Sequence, residues 1–149
     1  MLSLEDFKTC VDKLPQNKRV NFSGWGEPQL NPAFTDMVLY AHSAGHPVSL
    51  NTTLVGMTGE HYEKIRDIPF VYVTLHIPDR EGNSRFHLSE EYLDLVNLVL
   101  ADVAAGRFRI RSYSCHGAVH PVVAEIFKKN GFPRQVAHHF SNCTTEQET

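Results

Sequence analysis

Strand-like and helix-like segments alternate along this sequence, and that alternation limits the fold more than any other feature. The strand-like segments are short, are rich in β-branched and aromatic residues, and begin near residues 19, 47, 70 and 107. Between them lie longer segments with apolar residues at helical spacing. Such alternation is typical of units in which a helix connects two parallel strands, each unit spanning about 30 residues. The sequence therefore predicts an α/β fold with a parallel sheet and right-handed connections.

Start and stop residues set the boundaries of the predicted elements. Side chains suited to N-capping precede several helices, and Gly45, Gly106 and Gly131 follow three of them. The predicted helices span residues 3–15, 32–44, 58–67, 89–105 and 119–130. The predicted strands span residues 19–23, 47–53, 69–77, 107–114 and, as a short last strand, 135–140.

Length and composition exclude several classes of protein. A complete eight-unit barrel needs about 250 residues, whereas this chain has 149. Its 14 Lys and Arg residues and 17 Asp and Glu residues give a net charge of −3, so we expect no nucleic-acid partner. No apolar run approaches the roughly 18–20 residues of a membrane span, and residues 1–6 do not resemble a signal peptide. Together with three widely separated cysteines, these features favour a cytoplasmic protein without a membrane partner.

Binding sites of parallel α/β proteins lie at the carboxyl ends of the strands. Those ends carry four segments here: Gly24–Pro28, Asn51–Thr53, His76–Asp79 and Ser114–Gly117. The first, Gly-Trp-Gly-Glu-Pro, is the most informative, because its glycines let the backbone approach a ligand closely and Glu27 adds a carboxylate. A tight turn with one exposed aromatic residue is the alternative interpretation of this segment.

Three of these segments, taken in order, resemble the radical S-adenosylmethionine enzymes. The run Asn21–Pro28, followed by Asn31-Pro32 and Phe34, is similar to the second strand and the Gly-Gly-Glu-Pro loop of that family. Asn51–Leu54, at the end of the next strand, and Leu75–Asp79, at the end of the third, are similar to the same family. The chain thus carries several of the family's strand ends in the family's order.

The resemblance covers most of residues 3–80, and the alternation of strands and helices continues it to about residue 131. It implies an open, partial (β/α) barrel of the TIM type, with four to five parallel strands and outer helices. We expect this domain to span residues 3–140 and residues 141–149 to form a flexible tail.

In that family, the loop that contains the residue matching Glu27 receives the amino group of S-adenosylmethionine. Carbonyl and carboxylate oxygens suit an ammonium group, which offers only donors. The same match places Thr52 and Thr53 near the cofactor or substrate, His76 toward the barrel interior and Ser114 near the ribose. The resemblance therefore implies eight cofactor-binding positions: Gly24, Trp25, Gly26, Glu27, Thr52, Thr53, His76 and Ser114.

The chain departs from the family at its metal centre. The family's chemistry requires a C-x3-C-x2-C loop after the first strand, whose thiolates hold a [4Fe–4S] cluster. Cys10, Cys115 and Cys143 do not have this spacing, so we expect neither the cluster nor radical catalysis from this chain alone. Two explanations stay open: Met1 is an internal methionine with the cluster loop upstream of it, or the chain is a degenerate member of the family that has lost the loop.

Two other functions compete with cofactor binding. A non-catalytic interaction module would use the open edge of the sheet to bind a second copy of the chain or a partner chain. A zinc site would combine two sets of residues, Cys115-His116-x3-His120 and His138-His139-x3-Cys143. No C-x2-C pair anchors these sets, so we expect unliganded histidines and no metal.

Two groups of charged residues have less specific interpretations. Arg107, Arg109 and Arg111 alternate in the fourth predicted strand, so they would lie on one side of it. This pattern favours an edge strand, and an interior that binds anions is the alternative. The run Asp79–Glu81 lies in the polar loop over residues 78–87 and is interpreted as solvated, with contact to a substrate as the alternative.

Overall fold

The structure, a computed structural model, describes residues 1–24, 26–85 and 87–132. It divides into two compact units, one formed by Met1–Val73 and the other beginning at Thr74. The predicted last strand at 135–140 and the predicted tail at 141–149 lie outside the described residues. In the part of the chain that is described, no helix is both long and apolar enough to cross a membrane.

In the described residues, the first unit contains three α-helices, one short 3₁₀ helix and two complete strands. In chain order they are α1 (Leu4–Asp12), β1 (Val20–Phe22), a short 3₁₀ helix (Pro28–Leu30), α2 (Phe34–Ser43), β2 (Val48–Thr52) and α3 (Gly59–Ile65). Strands β1 and β2 are parallel, with Val20 opposite Val48 and Phe22 opposite Leu50. A short strand, a helix and a second parallel strand therefore follow one another, as the alternation in the sequence predicts.

The second unit repeats this arrangement. Strand β3 (Val73–Ile77) begins at the boundary between the units and leads to α4 (Glu90–Ala104), β4 (Ser112–Cys115) and α5 (Pro121–Lys129). Strands β3 and β4 are parallel, with His76 opposite Ser114.

The sheet contains the four strands in the order β1-β2-β3-β4. Within the first unit, the amide of Val71 donates to Val48 and the amide of Leu50 donates to Tyr72, so β2 is bonded to the residues that lead into β3. The α/β class and the parallel sheet predicted from the sequence are confirmed.

Three helices begin where their capping residues predict. The hydroxyls of Ser3, Thr58 and Ser89 each accept a hydrogen bond from the amide three residues later, at 3.1–3.2 Å. Gly45, Gly106 and Gly131 follow α2, α4 and α5 with φ values of 85°, 74° and 85°, which is the backbone conformation of a residue that ends a helix. Local signals thus set most helix boundaries in both units.

Helix α2 begins two residues later than predicted. Pro32 was expected at its first position, but Asn31 Oδ1 accepts the amide of Ala33 at 3.0 Å and the amide of Phe34 donates to the Asn31 carbonyl, three residues back. The first bond of α-helical type joins Met37 to Ala33. Asn31 therefore stabilises a tight turn before the helix instead of capping the helix itself.

The fourth strand is shorter than predicted, and the expectation that Arg107, Arg109 and Arg111 lie on it is wrong. Only Ser112–Cys115 forms the strand. The amides of Arg107 and Phe108 both donate to the carbonyl of Asp102 in the last turns of α4, at 2.8 and 3.2 Å. These bonds turn the chain away from an extended path, so the arginines lie on an exposed connection.

Aromatic rings organise the core of each unit. In the first unit the rings of Phe7 and Phe34 flank that of Phe22, with centroids 5.7 and 5.5 Å apart, and this contact fixes β1 between α1 and α2. In the second unit Tyr113 of β4 packs edge-on against Phe127 of α5 at 5.3 Å. The residues that follow β1 and β4 are thereby attached to well-packed strands.

Candidate functional site

The loop that follows β1 is fastened to the end of β2 by one carboxylate. Glu27 Oε1 accepts a hydrogen bond from Thr52 Oγ1 at 2.9 Å, and Glu27 Oε2 accepts two more, from the amide and the hydroxyl of Thr53, at 2.6 and 2.5 Å. Bonds to a charged acceptor are stronger than bonds between neutral groups. We call this contact the Glu27 clasp. It unites three of the residues predicted for the site.

Thr52 lies inside this connection and not on a ligand-facing surface. Its side chain is 2% exposed, and its hydroxyl accepts a bond from the amide of Leu54 at 2.7 Å. The same hydroxyl lies 2.9 Å from the side-chain oxygen of Gln29, which is also buried. Thr52 therefore holds the turn after β2 in place, and its nearness to a cofactor stays a prediction.

Gln29 is a residue of the site that no sequence pattern singles out. It follows Pro28 in the short 3₁₀ helix, is 6% exposed, and its side-chain nitrogen is buried without a hydrogen-bond partner among the described residues. The sequence around Gln29 does not distinguish a buried glutamine from one that is exposed to solvent. Only its long-range contact with Thr52 identifies it as part of the clasp.

The two glycines of the loop are not required by the fold. Neither Gly24 nor Gly26 has a positive φ, and a Cβ built on either would meet no atom within 4 Å. Trp25, which lies between them, is outside the described residues. Open space around both glycines is what close approach of a ligand to the backbone needs.

A groove of about 470 Å³ lies beside this loop, entirely within the first unit. Its walls combine apolar side chains with the polar groups of the loop, and they include Phe22, Ser23, Gly26, Glu27, Leu30, Asn31 and Phe34. Ligand sites of small molecules have volumes of about 300–1,000 Å³ and few polar groups on mostly apolar walls. The groove therefore has the size and composition of a small-molecule site.

The loop can accept hydrogen bonds from a cation. The Glu27 carboxylate has about four acceptor positions and uses three of them in the clasp. Among the described residues, no backbone amide donates to the carbonyl of Gly24 or Gly26. A carboxylate and two backbone carbonyls in one short loop offer acceptors only, which suits an ammonium group.

The other two predicted residues, His76 and Ser114, form a separate pair in the second unit. They lie opposite each other in β3 and β4, and Ser114 Oγ is hydrogen-bonded to His76 Nδ1. Thr74 and Ser112, two residues earlier in β3 and β4, form a similar pair with their hydroxyl oxygens 2.9 Å apart. Burial lowers the pKa of His76 below its usual value, and the nearby His116 lowers it further. His76 is therefore kept uncharged near neutral pH.

The first half of the possible zinc site does not assemble. Cys115 is buried at the end of β4, His116 lies in the turn that follows, and His120 immediately precedes α5, so the two histidines do not share a helix face. Within the described residues, no group of three or more His, Cys, Asp or Glu side chains is placed to hold a metal ion. His138, His139 and Cys143 lie outside the described residues.

The chain was compared with known proteins at the level of families and of curated sequences. No protein-family model matches it. No curated protein is significantly similar to it either. A function for this chain therefore has to be argued from the geometry of its own residues.

Proposed function

We propose that the first unit binds S-adenosylmethionine through the loop from Gly24 to Glu27, as part of an open, partial (β/α) barrel of the radical S-adenosylmethionine type. The Glu27 clasp is the observation that carries this proposal. It holds the loop against the end of β2 in one position, so that acceptors for the cofactor's ammonium group are arranged before binding. The cofactor's amino-acid portion binds at this loop.

The surroundings of the loop support the same ligand. The adjacent groove has apolar walls from Phe22, Leu30 and Phe34, which suit the less polar parts of the cofactor, and its volume of about 470 Å³ lies in the range of small-molecule sites. The open space at Gly24 and Gly26 leaves their backbone accessible to the ligand. The cofactor's charge and its apolar surface thus meet complementary groups in one unit.

The cysteines present do not fit the iron–sulfur cluster of the resembling family. Cys10 is exposed on α1, Cys115 is buried in β4, and no C-x3-C-x2-C sequence occurs in these 149 residues. S-adenosylmethionine supplies a sulfonium centre with activated carbon–sulfur bonds when it is bound. The loop residues from Gly24 to Glu27 bind and orient the ammonium group of the cofactor. No electron transfer to the cofactor is assigned to this chain's residues.

Calorimetric titration of the full chain with S-adenosylmethionine tests the proposal. Gly26→Val places a branched side chain at the loop without disturbing the fold, because the added Cβ meets no atom and the backbone φ is not positive. We expect saturable binding by the unaltered protein and at least about a tenfold loss in Gly26→Val. Ala105→Val, at the exposed end of α4, introduces the same side chain in the second unit and should bind like the unaltered protein.

The choice of ligands separates the ammonium contact from general affinity for nucleosides. S-adenosylhomocysteine retains the ammonium group and should bind, whereas 5′-methylthioadenosine lacks it and should bind weakly. Equal binding of both compounds, or equal binding by Gly26→Val and Ala105→Val, would contradict the proposal.

The edge of β1 favours a second candidate function, an interaction module. The backbone amide of Val20 donates to the carbonyl of Pro47, just before β2. The backbone groups of Val20 and Phe22 therefore point towards β2, and those of Asn21 point towards the opposite edge of β1. Leu2 and Leu30 line the groove there, with half or more of their surfaces exposed. An added strand from a second copy or a partner chain would cover both features.

Light scattering tests this alternative: a stable dimer that S-adenosylmethionine does not affect favours it, and a monomer that binds the cofactor excludes the dimer.

A further inference from the structure

A second cavity lies in the other unit, beneath the loop that follows β3. It has a volume of about 220 Å³ and is bounded by this loop and by the residue before α5. Its charged or titratable lining residues are Asp79, Arg80, Arg85 and His120. We call it the Arg80–Arg85 cavity. It shares no residue with the groove beside Glu27.

Asp79 gives the loop a fixed shape, contrary to its interpretation as a solvated residue. It is 4% exposed, and its two carboxylate oxygens accept the amides of Asn83 and Ser84, each at 2.8 Å. The carboxylate thereby closes the loop on itself. Both of its oxygens accept amides of the loop's own backbone, whereas no ion pair of the described residues involves Arg80 or Arg85.

Three further contacts fasten the loop to the segment between β4 and α5. The amide of Arg80 donates to the carbonyl of Ala118 at 2.7 Å, and the amide of His120 donates to the carbonyl of Pro78 at 3.0 Å. Glu81 Oε2 accepts the amide of Ala118 at 3.1 Å. The walls of the cavity are therefore held in place from both sides.

The charges of the cavity favour an anion. Arg80 and Arg85 are both exposed, and the two ion pairs found in the described residues, Lys8–Glu5 and Lys64–Glu60, involve neither of them. The lining includes two arginines and one acidic residue, Asp79, so its formal charge is positive. A guanidinium group donates in a planar fork that matches two oxygens of a phosphate.

His120 supplies an unsatisfied polar atom at the same cavity. Its Nδ1 is buried and has no hydrogen-bond partner among the described residues, although its backbone amide is bonded. A buried polar atom without a partner is unfavourable, so such atoms in folded proteins usually meet a ligand or a water molecule. Because Nδ1 is enclosed by protein atoms, only the two arginines are assigned to an anion in the cavity.

We propose that the Arg80–Arg85 cavity binds a phosphoryl group, either as free phosphate or as part of a small phosphate ester. Arg80 and Arg85 bind the phosphate oxygens. The cavity's volume accommodates the phosphoryl group with only a few more atoms. This site is independent of the proposed cofactor site.

Titration calorimetry of the full chain with inorganic phosphate, and separately with glycerol 3-phosphate, tests this proposal. We expect saturable binding that weakens at least about tenfold when Arg80→Gln and Arg85→Gln are combined, because charge-assisted hydrogen bonds are lost. The matched control combines Arg107→Gln and Arg109→Gln, which removes the same charge from exposed positions outside the cavity. Circular dichroism confirms that both double variants fold.

The outcomes are distinguishable from those of the cofactor experiment. Gly26→Val should bind phosphate like the unaltered protein, because it lies in the other unit. Tighter binding of glycerol 3-phosphate than of phosphate would assign the site to phosphate esters, and the reverse order would assign it to free phosphate. Absence of saturable heat with both compounds at millimolar concentration, or an equal loss in the two double variants, would overturn the proposal.

Discussion

Replacement of Glu27 by alanine should destabilise the protein more than an exposed carboxylate normally does. The substitution removes the acceptor of three hydrogen bonds, and bonds to a charged group contribute about 1.5–3 kcal/mol each when fully buried. Water replaces part of this loss, because Glu27 and Thr53 are half-buried and the Thr52 hydroxyl keeps its contact with Gln29. We expect the free energy of unfolding to fall by about 2–3 kcal/mol in total.

Urea denaturation followed by circular dichroism measures this change, with Glu60→Ala as the matched control. Glu60 is exposed on α3 and pairs with Lys64 four residues later, at 2.8 Å. Such a pair contributes about 0.3–0.5 kcal/mol, so the control should lose several times less stability than Glu27→Ala. Thermal unfolding should show the same order, with a decrease of about 4–12 °C for Glu27→Ala.

Glu27→Gln separates loss of charge from loss of an acceptor. The amide group has a size close to that of the carboxylate, but its NH₂ would replace one of the oxygens that Thr52 and Thr53 donate to. We therefore expect glutamine to destabilise the protein nearly as much as alanine. A loss below about 1 kcal/mol for Glu27→Ala, similar to that of Glu60→Ala, would refute the reasoning about the clasp.

Three further predictions concern single residues. Burial opposes the ionisation of Asp79, but bonds from backbone amides lower its pKa from 3.8 to about 2. The ionised Asp79 therefore stabilises the folded state above pH 3.8, and the free energy of unfolding should fall by about 1–2 kcal/mol as the pH falls towards 2. Asp79→Asn should flatten this part of an acid-unfolding curve, and an unchanged slope would contradict the prediction. An NMR titration of His76 should give a midpoint below 6.5, and a midpoint at or above 6.5 would show that burial does not govern its pKa. Gly56→Ala should lower the free energy of unfolding by about 1–2 kcal/mol, because Gly56 has φ 83° and a Cβ there would lie 3.0 Å from Leu30. Gly24→Ala, as the control, should change the free energy of unfolding by less than about 0.5 kcal/mol. Equal changes for the two variants in urea denaturation would refute this comparison.

The parts of the fold that depend on neighbouring residues could be predicted from the sequence. Ser3, Thr58 and Ser89 accept the amides that their positions predict, because an N-cap needs only the following turn. The parallel pairing of strands joins distant residues, but it was predicted from the alternation of strands and helices, because a helical crossover leaves the two strands that it connects parallel.

The fourth strand differs from its prediction because of backbone hydrogen bonds that a side-chain pattern does not report. The segment from Arg107 to Arg111 has the alternation of a strand, but the carbonyl of Asp102 captures two of its amides and turns it away. Alternation describes which side chains share a face and carries no information about competing backbone partners.

The candidate site shows the same division. The sequence places Glu27 and Thr53 at neighbouring strand ends, and the structure brings them into contact. Their use of each other as hydrogen-bond partners could not be predicted, because a carboxylate that closes a loop and one that awaits a ligand have the same local sequence. Asp79 was interpreted as solvated for the same reason, although it is buried.

The most direct test of the proposed cofactor site is an NMR titration of backbone amide signals with S-adenosylmethionine. The proposal predicts saturable chemical-shift changes at Gly24, Gly26 and Thr53, because these residues form the loop and its attachment to β2. It predicts little change at residues of the second unit, from Thr74 onward. Changes confined to the second unit, or no change at millimolar cofactor, would contradict the assignment of S-adenosylmethionine binding to this loop.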